Sequence, residues 1–418
     1  MQSKNILVIN QYFSPDLAST GQYAAEICHG LARNGKKVRV ITAQPCYSRE
    51  SPEAPLQEED DGLSITRIPM GRLRGRENLI TRIAGYLYFL IKARREASRL
   101  SKKHRIDLVI TFHNPPFVGL LGAFLKRKKQ IPFVYILYDI NPDALLSSGW
   151  KIPSVLVWFW ERLNKKMLTQ ASKVVVLSER MKESLKQKKG VEKDKIEIIP
   201  PWGRPELVEI KGNVSVRQEL GLGEDELLLL YAGNMGVIHP LEVIIEAARE
   251  LIDLPLKILF VGDGTQRQSL EEQVTREKIK NVLFLPYQPE DRFVELLGAA
   301  DCCFVTLRKS LDNLSLPSRA FTFLSAGKPI IALMEKETDL SQLITDNQCG
   351  WVVEGKEQLT ALIKRLFQER EEILNFGLNA RQVYMKHYRK EKIIKKYIEV
   401  VDNCLNSEKA ILGEKSSA

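Results

Sequence analysis

The sequence is poor in the signatures of several large protein classes. Its 6 cysteines stand at 28, 46, 302, 303, 349 and 404 without a C-x2-C pair, so neither a zinc site nor a disulfide framework is expected. No H-E-x-x-H and no serine–histidine–aspartate order is present, which removes the common metalloprotease and triad-hydrolase patterns. The loop after the first apolar run lacks G-x-G-x-x-G, which argues against NAD or FAD. The longest apolar stretch, near Phe117 to Leu125, is about half of the ~20 residues a bilayer span needs. Nothing like a signal peptide precedes Ile6-Leu7-Val8-Ile9, so a reducing cytoplasm is the expected location.

What the chain has is length, ordinary apolar content and unevenly placed charge. Its 418 residues are 44% hydrophobic and 27% charged, which suits a folded chain of two large domains. The formal net charge is +10. Residues 1–200 carry 34 basic and 19 acidic groups, giving +15, and residues 201–418 carry 28 and 33, giving −5. A basic half joined to a mildly acidic half points to domains with different partners.

Short apolar, β-branched runs alternate with amphipathic segments throughout. Strands are expected at Ile6–Ile9, Val38–Thr42, Ile65–Ile68, Leu108–Thr111, Phe133–Leu137, Lys173–Leu177 and Ile196–Ile199. The second half repeats the pattern at Leu227–Tyr231, Lys257–Val261, Val282–Leu285, Cys302–Val305, Pro329–Ala332 and Trp351–Val353. Apolar runs without alternation are buried on both faces, and their alternation with helices predicts α/β domains with parallel sheets. Pro200-Pro201-Trp202-Gly203-Arg204-Pro205 cannot extend a helix or central strand and reads as a hinge. Glu391 to Leu405 reads as a helix and 406–418 as a frayed tail. Ligands bind beyond the carboxyl ends of parallel strands, so two Rossmann-like domains with a cleft between them are expected.

The candidate site residues lie at such strand ends. After the first strand, Ser19 or Thr20 can cap a helix beginning near Gln22, beside Gly21; acceptor or phosphate contact and an ordinary loop both fit. His113 follows the strand Leu108–Thr111. It can bond a sugar hydroxyl, act as acid or base, or cap the next helix. Tyr138-Asp139-Ile140-Asn141-Pro142-Asp143 can grip hydroxyls or simply form a turn. Gly233-Asn234 with Gly236, and Gly262-Asp263-Gly264, allow backbone to approach a diphosphate. Arg308, Lys309 and Arg319 offer positive charge, with Ser318 as a helix cap and Gly327 as a helix stop. Glu58-Glu59-Asp60-Asp61 reads as a solvated loop, and no metal site is expected.

In order, F-S-P-D-x-A-S-T-G, H-x-P-P, Tyr138-Asp139, Ile198-Ile199-Pro200, Gly233-Asn234, Gly262-Asp263-Gly264 and Pro317-Ser318-Arg319 leading to Ala326-Gly327-Lys328-Pro329 resemble the retaining glycosyltransferases of family 4, which have the GT-B fold. The likeness covers nearly the whole chain and is strongest to the enzymes of colanic-acid, O-antigen and exopolysaccharide synthesis. It implies an acceptor-binding domain over 1–200, completed by a C-terminal helix over about 386–405. It implies a sugar-nucleotide domain over 205–385, with 406–418 a disordered tail. His113 and Asp139 would be the catalytic pair. Gly233, Asn234, Gly236, Gly262, Asp263, Gly264, Arg308, Arg319 and Thr322 would bind the donor, and Ser19, Thr20 and Gly21 the acceptor.

The chain departs from that family's pattern. The usual Gly-Arg, with Lys five residues later, is here Asn234 and His239. The usual Glu-x7-Glu is Leu314 and Thr322. Arg319 is the expected replacement for the lost positive charge. The implied reaction moves a hexose-type sugar from a nucleotide diphosphate sugar to a glycan or lipid-linked acceptor, with no cofactor and no divalent metal. A GT-B sugar-nucleotide epimerase and a non-catalytic membrane-surface subunit are the alternatives.

Residues 65–105 hold 12 basic residues against Glu77 and Glu96, a surplus of +10. Leu79, Ile83, Tyr86, Leu87 and Leu90 recur there at helical spacing. Either residues 72–105 dock on an anionic membrane surface, making the protein peripheral at the inner face of the plasma membrane, or the stripe lies in the core under a solvated basic face. Trp158, Phe159 and Trp160 favour the membrane. No nucleic-acid motif accompanies the charge.

Overall fold

The structure, a computed structural model, describes residues 3–416 apart from 17, 47–52, 61, 76–78, 211, 224 and 312, with side chains described as far as 407. Asp61 of the acidic run, and Arg76 and Glu77 of the basic segment, are therefore outside the described residues. The chain divides into two compact units: Met1–Leu146 with Trp150–Ile199 and Ile394–Ala418, and Ser147–Gly149 with Pro200–Ile393.

The first unit carries strands β1 (Asn5–Ile9), β2 (Lys37–Ala43), β3 (Gln57–Asp60), β4 (Leu63–Ile68), β5 (Leu108–Thr111), β6 (Phe133–Ile136), β7 (Lys173–Val176) and β8 (Ile196–Ile198). They form one sheet in the order β3-β4-β2-β1-β5-β6-β7-β8. Every pairing is parallel except β3 with β4. β1, β2 and β5 to β7 are almost wholly buried because helices cover both faces. The chain steps from β1 to β2 on one side and returns to β5 on the other, which places the topological switch at β1 and β5.

The second unit carries β9 (Leu227–Ala232), β10 (Leu256–Val261), β11 (Val282–Leu285), β12 (Cys302–Thr306), β13 (Ile330–Leu333) and β14 (Gly350–Val353). Their order is β11-β10-β9-β12-β13-β14, all parallel. Its switch lies between β9 and β12. Leu227, Leu229, Tyr231, Phe260 and Phe304 anchor the core, packed under Ile244, Ile245, Leu359 and Ile363 of the covering helices.

Several local expectations are corrected. Gln57–Asp60 is a strand, not a loop: an exposed antiparallel edge whose charges deter further pairing. Its Glu58 pairs with the buried Arg67 at 2.7 Å. Neither Ser19 nor Thr20 caps a helix. Helix α1 (Ser19–Arg33) already includes them, with Ala18 at its N-cap. Ser318 makes no cap bond either, because its own backbone is helical at φ −63, ψ −24. The final helix, Lys390–Ser416, runs on through most of the stretch expected as a tail.

Helix α2 (Leu79–Lys103) turns a different face inward from the one expected for a core stripe. Gly85, Phe89, Ala93, Ala97 and Leu100 are buried, whereas Leu79, Ile83 and Leu87 are exposed. At Gly85 the helix lies close on Leu73, whose carbonyl oxygen a Cβ there would meet at 3.2 Å, and the helix also packs on β2 and β4.

Candidate functional site

In the first unit, the loops after β1 and β5 leave the switch point together. β5 ends at Thr111, which puts His113 just beyond the sheet edge, and the side chain is 3% exposed. Its Nδ1 accepts the Tyr138 backbone N–H at 3.3 Å. That fixes the proton of a neutral ring on Nε2, which lies 3.2 Å from Asp139 Oδ2. Asn114 Nδ2 lies 3.0 Å from the same nitrogen. His113 is thus built into a turn with the half-exposed Asp139, and it caps no helix: the next one, α3 (Gly119–Lys129), begins after Val118.

Tyr138 packs edge-on against Tyr23 of α1 at 5.7 Å between centroids. Burial, with Tyr397 of the final helix beside it, pushes its phenol well above the usual tyrosine range. It is a packing residue. Asp143 begins the short helix α4 (Asp143–Ser147) and pairs with Lys189, a structural role. Ser19 and Thr20 lie in the first turn of α1. Gly21 is there because a Cβ would sit 2.9 Å from the Phe13 nitrogen.

Three polar residues at this edge were given no role of their own in the sequence analysis, although Asp16 belongs to the F-S-P-D-x-A-S-T-G loop. Asn10 and Gln11, at the end of β1, are buried, and their Oδ1 and Oε1 atoms have no hydrogen-bond partner among the described residues. Asp16, also buried, accepts the Cys46 N–H at 2.8 Å. Two amides directly following an all-apolar strand were the available signal.

In the second unit, the loops after β9 and β10 pack backbone to backbone. Gly233 lies at φ +132 and Gly262 at φ +138. A Cβ on Gly262 would lie 2.1 Å from the Gly233 carbonyl oxygen, and one on Gly233 would lie 3.0 Å from the Arg319 guanidinium carbon. The Gly264 N–H donates to Asp263 Oδ1 at 2.7 Å, closing a turn. Asn234 is exposed, with its amide against Gly236 and Gly264.

The three candidate cations differ sharply. Arg308 donates to the Val237 carbonyl and to Glu242 at 2.7 and 2.9 Å. Lys309 is paired with Glu335. Arg319 has no carboxylate among its described partners. Its guanidinium lies 4.9 Å from the centroid of the Tyr231 ring, Nη2 lies 3.4 Å from His239 Nε2, and Nη1 is buried without a partner. Arg319 comes from the segment after β12 and Gly233 from the loop after β9, so the switch point brings them together. Thr322 is half-buried one turn further along the same short helix, Arg319–Ser325. Leu314, where the resemblance expects a glutamate, is buried at 3% exposure.

A family model described as a glycosyl transferase 4-like domain matches residues 20–202, and one described as glycosyl transferases group 1 matches residues 215–383. Escherichia coli K12 WcaI, named for colanic acid biosynthesis glycosyl transfer, is 27% identical over 358 residues, covering 81% of this chain and 85% of that protein. Pseudomonas aeruginosa WbjE, named as a glycosyltransferase, is 22% identical over 409 residues, covering 97% and 99%. Among solved structures, sucrose-phosphate synthase from Thermosynechococcus elongatus aligns with a TM-score of 0.77 at 18% identity, covering 97% of this chain and 100% of that one. Anabaena HepE aligns at 0.70 and 17% identity, covering 96% and 100%. The chain belongs to the family 4 glycosyltransferases and has their GT-B fold.

Proposed function

We propose that the protein transfers a hexose-type sugar, with retention at the anomeric carbon, from a nucleotide diphosphate sugar to a glycan or lipid-linked acceptor in cell-surface polysaccharide synthesis. The observation that carries this reading is Arg319. A guanidinium with a buried arm unpartnered among the described residues, and no carboxylate among them, is costly unless an anion completes it. It lies under the glycine loop at the carboxyl end of β9, where a diphosphate can meet both backbone and charge. HepE, solved in complex with UDP-glucose, has the same fold and supports this donor class.

In the proposed reaction the bond between the anomeric carbon and the diphosphate oxygen breaks, and the acceptor hydroxyl adds from the same face. Its proton passes to the departing diphosphate oxygen, so no enzymic nucleophile is needed. Arg319 stabilises the charge that develops on the leaving group. His113, held by Tyr138 and Asp139, presents a fixed polar edge to sugar hydroxyls. Gly262, Asp263, Gly264 and Thr322 shape the nucleoside side, and Ser19, Thr20 and Gly21 the acceptor side.

We place this work at the inner face of the plasma membrane. No described helix is long and apolar enough to cross a bilayer. α2 exposes Ile80, Ile83, Leu87 and Ile91 among basic side chains, and α5 (Ser154–Gln170) exposes Trp158 and Phe159.

A panel of nucleotide diphosphate sugars, read by thermal stabilisation and by donor turnover with and without acceptor, tests the proposal. One donor class should stabilise the wild type, and Arg319→Ala should abolish that shift. A folded protein indifferent to the whole panel would instead be a non-catalytic subunit. A new sugar nucleotide formed without acceptor would identify an epimerase.

A further inference from the structure

We infer that His239 is a positioning residue for the diphosphate site: as a neutral acceptor it holds one arm of Arg319 and so aims the other at the loop that begins at Gly233. This rests on the reading of the second unit as the sugar-nucleotide half.

The hydrogen bonds assign the tautomer. His239 Nδ1 lies 2.8 Å from the Thr306 carbonyl oxygen, which can only accept, so Nδ1 carries the proton. The Thr306 hydroxyl lies 3.0 Å from the same nitrogen. The lone pair is then on Nε2, which faces Arg319 Nη2 at 3.4 Å. The backbone of His239 is itself tied down: Gln266 Nε2 donates to the His239 and Gly236 carbonyls at 2.9 and 2.6 Å. Tyr231 completes the support. Its ring lies against the guanidinium, and its hydroxyl donates to the Asn234 carbonyl at 2.7 Å.

The imidazole has every reason to stay neutral. The charged groups facing it are Arg319, and Arg308 from the segment after β12, whose own charge is matched by Glu242 from the helix that begins just after His239. Burial first, then the Arg319 charge, pushes its pKa down to about 3. A cation at this position would repel Arg319, whereas a neutral acceptor orients it without cancelling its charge. Two neutral partners therefore fix the guanidinium and leave its full charge for an anion.

The experiment titrates UDP, GDP and ADP into the full chain by calorimetry, for the wild type, His239→Gln and His239→Leu. Glutamine keeps an acceptor and should bind within about threefold of the wild type. Leucine should bind roughly tenfold more weakly, the scale of one lost orienting hydrogen bond. The wild-type-to-glutamine affinity ratio should stay constant from about pH 5.5 to 8, since neither side chain titrates there. Leucine binding like the wild type would overturn the inference, as would a wild-type advantage that grows below pH 6.5, the mark of an imidazolium touching phosphate. The pH comparison needs only two chains, so a leucine variant that does not fold leaves the test intact. If a folded wild type binds no nucleoside diphosphate, the sugar-nucleotide reading fails and this inference with it. Binding that ignores His239 sinks the inference alone.

Discussion

Replacing Ile83 and Leu87 together by glutamate should detach the protein from membranes without unfolding it. On α2, Ile80, Ile83, Leu87 and Ile91 are 77%, 48%, 56% and 55% exposed. Complete burial of such a side chain stabilises by about 1.5–3 kcal/mol, so half of one still in water is worth roughly 1 kcal/mol, and the four together about 4–5. Each lysine or arginine near an anionic leaflet adds about 1 kcal/mol more. The double variant removes about 2 kcal/mol of apolar transfer and turns two anionic groups toward an anionic surface. Partitioning onto vesicles should fall roughly a hundredfold or more. Flotation with vesicles of phosphatidylcholine alone, or with a third of an anionic lipid, measures this. Added salt should weaken binding only in part, because screening does not touch the apolar share. The melting temperature should hardly move, since both positions lie on the solvent side of the helix. If the double variant floats like the wild type, or if the wild type ignores lipid charge, the docking argument is refuted.

Three other outcomes follow from named contacts. His239 is neutral in the fold and its pKa is pushed down to about 3, whereas the unfolded chain protonates it near 6.5. The unfolded state therefore binds more protons between those values. Stability is complete above about pH 6.5 and declines toward pH 3, by about 2 kcal/mol at pH 5. Urea unfolding across that range should lose this part of its slope in His239→Gln. Gly262→Ala should cost at least about 2–3 kcal/mol, because its Cβ would meet the Gly233 carbonyl oxygen at 2.1 Å and the residue sits at positive φ; a melt within a degree of the wild type would count against the backbone packing described here. His113→Ala should lower kcat by roughly 10²-fold with the full donor and acceptor present, the scale of a misplaced reacting sugar. A change confined to KM would reduce His113 to a binding contact.

The strands were legible because buried parallel strands leave unbroken apolar runs, as in Leu227–Ala232. The exception, Gln57–Asp60, is an edge strand built of poor strand formers, and only pairing with β4 makes it one. The inward face of α2 was not legible for a related reason. The helix carries large apolar residues on more than one side, and the core side is marked by the small residues Gly85, Ala93 and Ala97, which counts of large apolar residues overlook. At the site, Arg319 was visible as an unclaimed charge, but its support was not. His239 and Arg319 are 80 residues apart, and only the adjacency of β9 and β12 makes them neighbours.

The departures from the family pattern fit together as one altered site. Leu314, where a glutamate is usual, lies in the core, so restoring the acid there would bury a carboxylate at a cost of several kcal/mol. Asn234 replaces an arginine and packs its amide between two glycines instead of projecting a charge. His239 replaces a lysine and supplies an acceptor in place of a cation. Random decay would be expected to loosen the glycine loops or to leave Arg319 paired with a nearby acid, as Arg308 is paired with Glu242. Instead, the missing Cβ atoms at Gly233 and Gly262 are still required for the loops to close over the guanidinium. An anion bound there would satisfy the buried arm of Arg319 that the described residues leave without a partner.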